Sequence, residues 1–469
     1  MDLDLFLEKK YAPYILLILI ALIVYALIYS FGGEFSLGAH NWYNNYSRQA
    51  YSWLHGRLDI PYDRQYMEIA FFGDRMYISF PPFPSIFLLP FVIIYGYSTP
   101  DQAIALGLSL VSMIYAYKIA LHFLKNKKTA MFFALFLILG TNYLHISLWG
   151  AVWYLAQNMA FTFLLISIYY ALTDNKRHSF ISLFALCASM GCRPFNALYL
   201  PIILFLILKR EEANIKTFAK NIFIYAIPAI LLGGFYMWLN YTRFGSIFEF
   251  GHNFLPEFTL DPYGQFHSSR VLRNMSMMFF GVDISYPLRH GFPYEGRTTF
   301  AFWLASPIFI SFVVYQVVYW RKYTGKTVDD FLIKIVPVLV FLHIFAFSLH
   351  RTLGGRQFGS RYIADSLPIV YFGLLMMVAK ISQGVKPPEA LPVEPDDEII
   401  EEVEEEHENE ITLSEAEEGE NESLEPEAEP LPIPITRHII YNAAPMLFGA
   451  LINFHGTVMF FLFYFPFYY

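Results

Sequence analysis

The chain has little charge, little cysteine and none of the compact fingerprints that mark common cofactor sites. Charged residues make up 15% of its 469 positions, whereas a soluble domain carries about 25%. With 56% hydrophobic residues, 19% aromatics and several uncharged runs of near-spanning length, this excludes an ordinary soluble globule and points to a polytopic membrane protein. Two cysteines, Cys187 and Cys192, are too few for a disulfide framework or a thiolate metal site and read as small buried hydrophobes. The sequence contains no glycine-rich phosphate loop, no HExxH and no Cys/His zinc spacing. It therefore gives no reason to expect a cofactor, and it leaves a divalent metal requirement open.

What charge there is falls into two unlike parts. The formal net charge is −8, but Lys386 to Pro432 alone holds 20 Asp/Glu and one basic residue, a local −19, so the rest carries +11. That segment, 386–432, is punctuated by proline and nearly free of aromatics, and it reads as a disordered acidic insert. It divides a transmembrane body, 1–385, from a final transmembrane helix in 433–469.

The fold class expected is all-α integral membrane. Eleven apolar runs read as spans: 13–31, 102–123, 129–147, 150–172, 179–193, 195–208, 221–239, 299–320, 332–349, 362–381 and 437–463. A further run, 83–97, lies between Pro81-Pro82 and Pro100-Asp101 and has 15 residues. At about 1.5 Å per residue it is too short for a hydrocarbon core of roughly 30 Å, so it reads as a juxtamembrane or re-entrant helix. With 83–97 uncrossed, Lys9-Lys10, Lys125/Lys127/Lys128, Lys176-Arg177, Lys209-Arg210, Arg321-Lys322 and Lys380 all share one side. The positive-inside rule makes that side cytoplasmic, with the N-terminus inside and the C-terminus outside.

This topology places all 15 lysines in or near the inner face and 13 of 17 arginines outside. Arginine set against the orientation signal needs a reason. Some of these side chains snorkel or pair with acids, but the planar five-donor fork also suits phosphate and carboxylate. The outer polar regions, 32–82, 240–298 and 350–362, are thus the expected seat of chemistry.

The first of these carries Glu34, Asp59, Asp63, Glu68 and Asp74. Joining an alcohol to an activated carbon needs one carboxylate within reach of the hydroxyl as general base. Asp59, in HGRLDIP beside Arg57, is the leading candidate, with Glu34 and Asp63 behind it. Arg193 sits at the outer end of a span, where a charge snorkels, pairs or binds an anion. In the second region, NYTRFGSIFEFGH offers Arg243 and Glu249, which can pair with each other, and FHSSRVLRN offers His267 and Arg270, three apart and able to share a helix face. In the third, GGRQFGSRYIADSLP brings Arg356, Arg361 and Asp365 to a span entry. Arg361, four residues before Asp365, is the natural ion-pair partner for it, and Arg356 the better ligand candidate.

In order along the chain, WLHGRLDIP with FPPFPSIFLLP, GTNYLHISLWGAVW, GCRPFNALYLP, NYTRFGSIFEFGH, FHSSRVLRN, RQFGSRYIADSLP and the terminal NFHG resemble the polytopic GT-C glycosyltransferases. The resemblance is to a bacterial and archaeal branch related to the protein mannosyltransferases and aminoarabinose transferases, and it covers almost all of the chain except 386–432. It implies inverting transfer of a sugar from a polyprenyl-phosphate carrier to a hydroxyl of a lipid, glycan or protein acceptor on the extracytoplasmic face. The implied setting is a multi-pass protein of the cell membrane, surrounded by membrane lipids and without nucleic acid, acting in cell-envelope glycan assembly. It also implies a base in the first outer loop and arginines on the carrier phosphate, with Arg57, Arg193, Arg243, Glu249, His267, Arg270, Arg356 and Arg361 as substrate-binding candidates. The alternative is a transporter or flippase for a lipid-linked or anionic substrate, which calls for internal repeats and ionisable residues at mid-membrane. The sequence shows no repeat and few such residues, His343 and His455 being the clearest. The insert 386–432, on the inner side in this reading, is expected to be dispensable for transfer.

Overall fold

The computed structural model describes residues 7, 9–31, 37–38, 40–61, 68–211, 215–281, 300–320, 327–354, 358–382 and 435–464. The sequence candidates Glu34, Asp63 and Arg356, and the insert 386–432, lie outside them.

The elements in chain order are α1 (Ala12–Phe31), α2 (Asn45–Leu54), β1 (Ile69–Phe72), β2 (Arg75–Ile78), α3 (Phe83–Tyr95), α4 (Asp101–Leu124), α5 (Lys127–Leu139), α6 (Tyr143–Ser147), α7 (Val152–Leu172) and α8 (His178–Met190). There follow α9 (Leu200–Glu211), α10 (Ile215–Tyr225), α11 (Ile227–Phe244), α12 (Pro256–Thr259), α13 (Val271–Phe280), α14 (Phe302–Ala305), α15 (Ile308–Tyr319), α16 (Val328–Ser348), α17 (Leu367–Ser382) and α18 (Ile435–Tyr464).

Among the described residues, five helices are long and apolar enough to cross a membrane: α1, α4, α7, α16, and α17 taken with the turn that leads into it from Arg361. Helices α10 and α11, bent by 56° at their junction, make a sixth if counted as one span. The eleven runs expected thus resolve into a smaller set of long helices and several shorter or broken ones. The run 129–147 is α5 and α6 separated by a break, and 195–208 is a 3-10 turn, Pro194–Tyr199, running into α9. The run 83–97 forms α3 and a 3-10 turn, an apolar helix below spanning length.

Helix boundaries follow local chemistry. Asn126 caps α5, its side chain accepting from Thr129 N at 2.9 Å. Thr327 and Asp330 form a capping box on α16, and Pro228 stands in the first turn of α11 just after the bend. Of the candidate spans, α17 with its leading turn is the most buried, packed among α4, α7, α15 and α16, while α7 packs between α4 and α8. Lipid gives apolar side chains no drive to leave it, so polar contacts and close backbone approach hold such helices together. Tyr143 Oη donates to Asn158 Oδ1 at 2.6 Å, and Asn158 Nδ2 donates to Ala105 O at 2.8 Å, tying α6, α7 and α4. Gly150 lets the start of α7 close on α4; a Cβ there would lie 2.7 Å from the Asp101 carbonyl carbon.

The end of the bundle called inner here, after the expected orientation, is closed by ion pairs. Lys209 meets Asp329 at 2.7 Å, Lys380 meets Asp330, and buried Glu211 meets Arg210 at 3.4 Å and Lys176 at 3.8 Å. The outer end carries the loops. In the first, β1 and β2 form a hairpin whose two-residue turn begins with Gly73 at φ 59°. Helix α2 is anchored by Asp101, which accepts from Ser47 Oγ at 2.9 Å. The second and third loops join through an antiparallel bridge between Phe266 and His350, with His267 N donating to Leu349 O at 2.9 Å and Arg351 N to Gln265 O at 2.8 Å.

Candidate functional site

The three outer loops and the ends of α7 and α16 enclose a cavity of about 510 Å³, within the range of small-molecule sites. Its aromatic wall includes Tyr46, Trp153, Tyr154, Phe347 and Tyr362, and its ionisable lining is Glu68, Arg193, Arg361, Glu257, His252 and His350, with the buried Cys192 thiol beside Arg193.

Glu68 enters this wall by an unusual backbone. Its φ is 51°, in the left-handed region that side-chain-bearing residues seldom adopt. Ser79 Oγ donates to the Glu68 carbonyl at 2.7 Å, and the next residue, Ile69, starts β1 opposite Ile78. The carboxyl turns toward α7, where Trp153 Nε1 donates to Oε1 at 2.8 Å. Oε2 accepts no hydrogen bond among the described residues. Burial lifts this carboxyl to about 7; the Trp153 bond and Arg361 pull it down, and Glu257 pushes it up. A half-neutral carboxyl with one open oxygen is suited to taking a proton.

The cationic side of the cavity rests on one polar network. Arg193 Nε donates to Asp365 Oδ2 at 2.7 Å, and Gln157 Nε2 donates to Asp365 Oδ1 at 2.9 Å. Arg361 reaches the same Gln157 from the other side, Nη1 to Oε1 at 3.3 Å, and donates from Nη2 to Gly354 O at 3.1 Å. Both guanidinium groups lie over the Tyr362 ring, at 4.9 Å for Arg193 and 4.8 Å for Arg361. Buried Nη2 of Arg193 has no hydrogen-bond partner among the described residues. The two histidines add no charge at neutral pH. Burial holds His252 down at about 4 and His350 at about 3. His252 Nδ1 donates to Ser79 O at 3.1 Å and His350 Nδ1 to Thr352 O at 2.7 Å.

Asp365 therefore pairs with Arg193 and not with Arg361, the partner its sequence spacing suggests. Residues 361–366 form a 3-10 turn, in which positions four apart are not stacked as on an α-helix. Arg193 and Arg361 are the sequence candidates that line the cavity. Arg57 and Asp59 are bound to each other at 2.7 Å and do not line it, and that bond holds the Asp59 carboxyl below its ordinary range.

Arg243 is buried, donating to Asn240 Oδ1 at 3.0 Å and lying over the Phe244 ring that packs on Tyr77 of β2. It supports the hairpin and is not paired with Glu249. Glu249 instead accepts from Gly251 N and Asn253 Nδ2, both at 2.6 Å, shaping the turn that presents His252. His267 stacks on Tyr263 at 4.1 Å between centroids, and Arg270 is engaged by Asp261 at 2.8 Å; neither lines the cavity. Glu68 is one of the first-loop acids in the sequence, but YMEIA carries no motif that sets it ahead of Asp59. The available signal was the two-residue Gly-Asp turn between FF and RMY, which marks a hairpin beginning just after Glu68. Among the described residues no group of three or more His, Cys, Asp or Glu is placed to hold a metal ion.

No protein-family model matches the chain, and no curated protein sequence does. Two solved structures are similar in fold. ArnT from Cupriavidus metallidurans, in the apo state, matches 78% of this chain and 59% of its own at 13% identity and a TM-score of 0.44. The Archaeoglobus fulgidus oligosaccharyltransferase, in its apo form, matches 80% of this chain and 51% of its own at 13% identity and a TM-score of 0.46. The chain thus spans a little over half the length of each. Likenesses this distant concern the course of the chain and carry no argument about its activity.

Proposed function

We propose that the chain is a membrane glycosyltransferase of the GT-C kind that moves a sugar from a polyprenyl-phosphate donor to an acceptor hydroxyl on the extracytoplasmic face. The observation that carries this reading is the pairing, in one aromatic cavity, of a carboxyl with an open oxygen and two guanidinium groups. In the proposed step the acceptor oxygen attacks the anomeric carbon and its proton passes to Oε2 of Glu68. The bond from that carbon to the phosphate oxygen breaks, the electron pair stays on that oxygen, and the carrier leaves as polyprenyl phosphate. Arg193 and Arg361 meet the negative charge that develops there, and fixed donors in a partly dry cleft serve this best. Attack opposite the leaving group inverts the anomeric centre. Aromatic faces suit the apolar sides of a sugar ring and the first isoprene unit of a lipid.

Glu68 takes the role of base in this reading in place of Asp59, whose carboxylate is already satisfied by Arg57. Glu34 and Asp63 are further acids of the same loop. The test is turnover by the purified protein on a panel of polyprenyl-phosphate sugars, read as free polyprenyl phosphate. Turnover that disappears in Glu68→Gln supports the assignment. Turnover that survives there moves the base to Asp59, Glu34 or Asp63. Absence of turnover with every donor, alongside movement of labelled polyprenyl-phosphate sugar across a vesicle membrane, establishes a flippase instead.

A further inference from the structure

We propose that Trp153 is a positioning residue for the base: its indole N–H keeps Oε1 of Glu68 as an acceptor and confines the transferable proton to Oε2, the oxygen facing the substrate. The inference rests on Glu68 as base. An indole nitrogen donates and never accepts. With Trp153 Nε1 aimed at Oε1 from 2.8 Å, a proton on Oε1 would oppose the indole hydrogen. The neutral carboxyl therefore carries its hydrogen on Oε2, and the ionised carboxyl presents Oε2 as the free acceptor.

Both ends of this hydrogen bond are fixed. Trp153 is the second residue of α7, its ring lies 4.9 Å from the Tyr43 ring, and the preceding amide, Val152 N, donates to Tyr43 O at 3.0 Å. Glu68 is held at its left-handed backbone by Ser79 and the hairpin. The indole is held by its own packing, so the donor does not follow if the carboxyl turns.

The charged and titratable groups facing Glu68 are Glu257 from the second loop, Arg361 from the third and Tyr46 from α2. They act on it through space, whereas Trp153 is its direct donor among the described residues. A charge-assisted hydrogen bond of this kind favours the ionised carboxylate. Its removal raises the proton affinity of Glu68, so a higher pH is needed to ready the base.

The experiment compares the parent with Trp153→Phe, which keeps an aromatic ring and loses the donor, and with benzothienylalanine at position 153, which keeps the tryptophan shape without the N–H. Turnover on the polyprenyl-phosphate sugar panel is followed against pH. The protonated-carboxyl infrared band is titrated in parallel, assigned by its loss in Glu68→Gln. The expected result is an acid limb of kcat/KM and an infrared titration both moved up by about one pH unit. Either substitution that folds suffices, and the near-isosteric residue covers the case in which phenylalanine does not pack. A limb and a band that overlay the parent's, with Glu68→Gln inactive, overturn the role of Trp153 alone. Turnover that survives in Glu68→Gln overturns the base reading and this inference with it.

Discussion

The two ends of the helix bundle carry similar charged side chains and treat them oppositely. At the inner end the acids and bases close on each other: Asp329 on Lys209, Asp330 on Lys380, Glu211 on Arg210 and Lys176. At the outer cavity, among the described residues, Glu68 keeps one oxygen open, Arg193 keeps a buried nitrogen without a hydrogen-bond partner, and Asp365 is placed to aim Arg193. The same residue types lock the bundle where acid meets base, even though Arg210 Nε there also has no hydrogen-bond partner among the described residues. They stand ready for chemistry where an unmet group belongs to a cavity wall. Residue type and exposure therefore identify a site less well than the count of unmet hydrogen bonds in a space large enough for a ligand.

Substitutions at the two ends test this contrast. The largest effect is expected at Glu68: Glu68→Gln lowers turnover by about 10³-fold, while Asp59→Asn lowers it by less than about tenfold. A reversal of that order would place the base in the exposed pair and dissolve the contrast. Next is Asp365→Asn, which leaves Arg193 without its counter-charge. Breaking a buried pair of this kind lowers stability by about 3 kcal/mol, seen as a lower melting temperature in detergent, and donor KM rises because the guanidinium is no longer aimed. An unchanged KM would remove Arg193 from the donor site.

The pH profile comes third. Glu68 must be ionised to act, and burial sets it near 7, so turnover falls as pH drops through that value, about tenfold per unit below it. His252 and His350 stay neutral down to about 4 and about 3 and contribute no limb between pH 5 and 8. An acid limb near the ordinary carboxylate value would point back to a solvated acid such as Asp59. The smallest effect is expected at the inner end. Lys209 and Asp329 are about half exposed, and Lys209→Ala changes stability by less than about 1 kcal/mol and turnover not at all.

Much of this was legible from the sequence. The apolar runs located α1, α4, α7, α16 and the entry to α17, because length and apolarity are local properties. Arg193 was legible because a charge at a span end stands out against its surroundings. Asp59 drew attention through its neighbour Arg57, yet that proximity is what satisfies it. The Arg361–Asp365 spacing is misleading because the turn between them is 3-10, where residues four apart do not stack. Glu68 stayed hidden because its setting is assembled from Trp153, Arg361 and Glu257, which lie far away in the chain. Arg243 and Glu249, six positions apart, look like partners; one serves the hairpin and the other a turn, because Gly245 at φ 69° ends the helix between them.

The seam joining the second and third loops has a mechanical consequence. Phe266 and His350 bridge there, and the amides of His267 and Arg351 are tied across it. Arg351 also grips Asp261 at 2.7 Å, which in turn holds Arg270. Two stretches far apart in the chain therefore behave as one stiff plate roofing the cavity. A strain applied to either is felt by both, and their amides should open to solvent exchange together. A reporter attached at Tyr263, which is exposed and does not line the cavity, would register strain in the plate without touching the ligand.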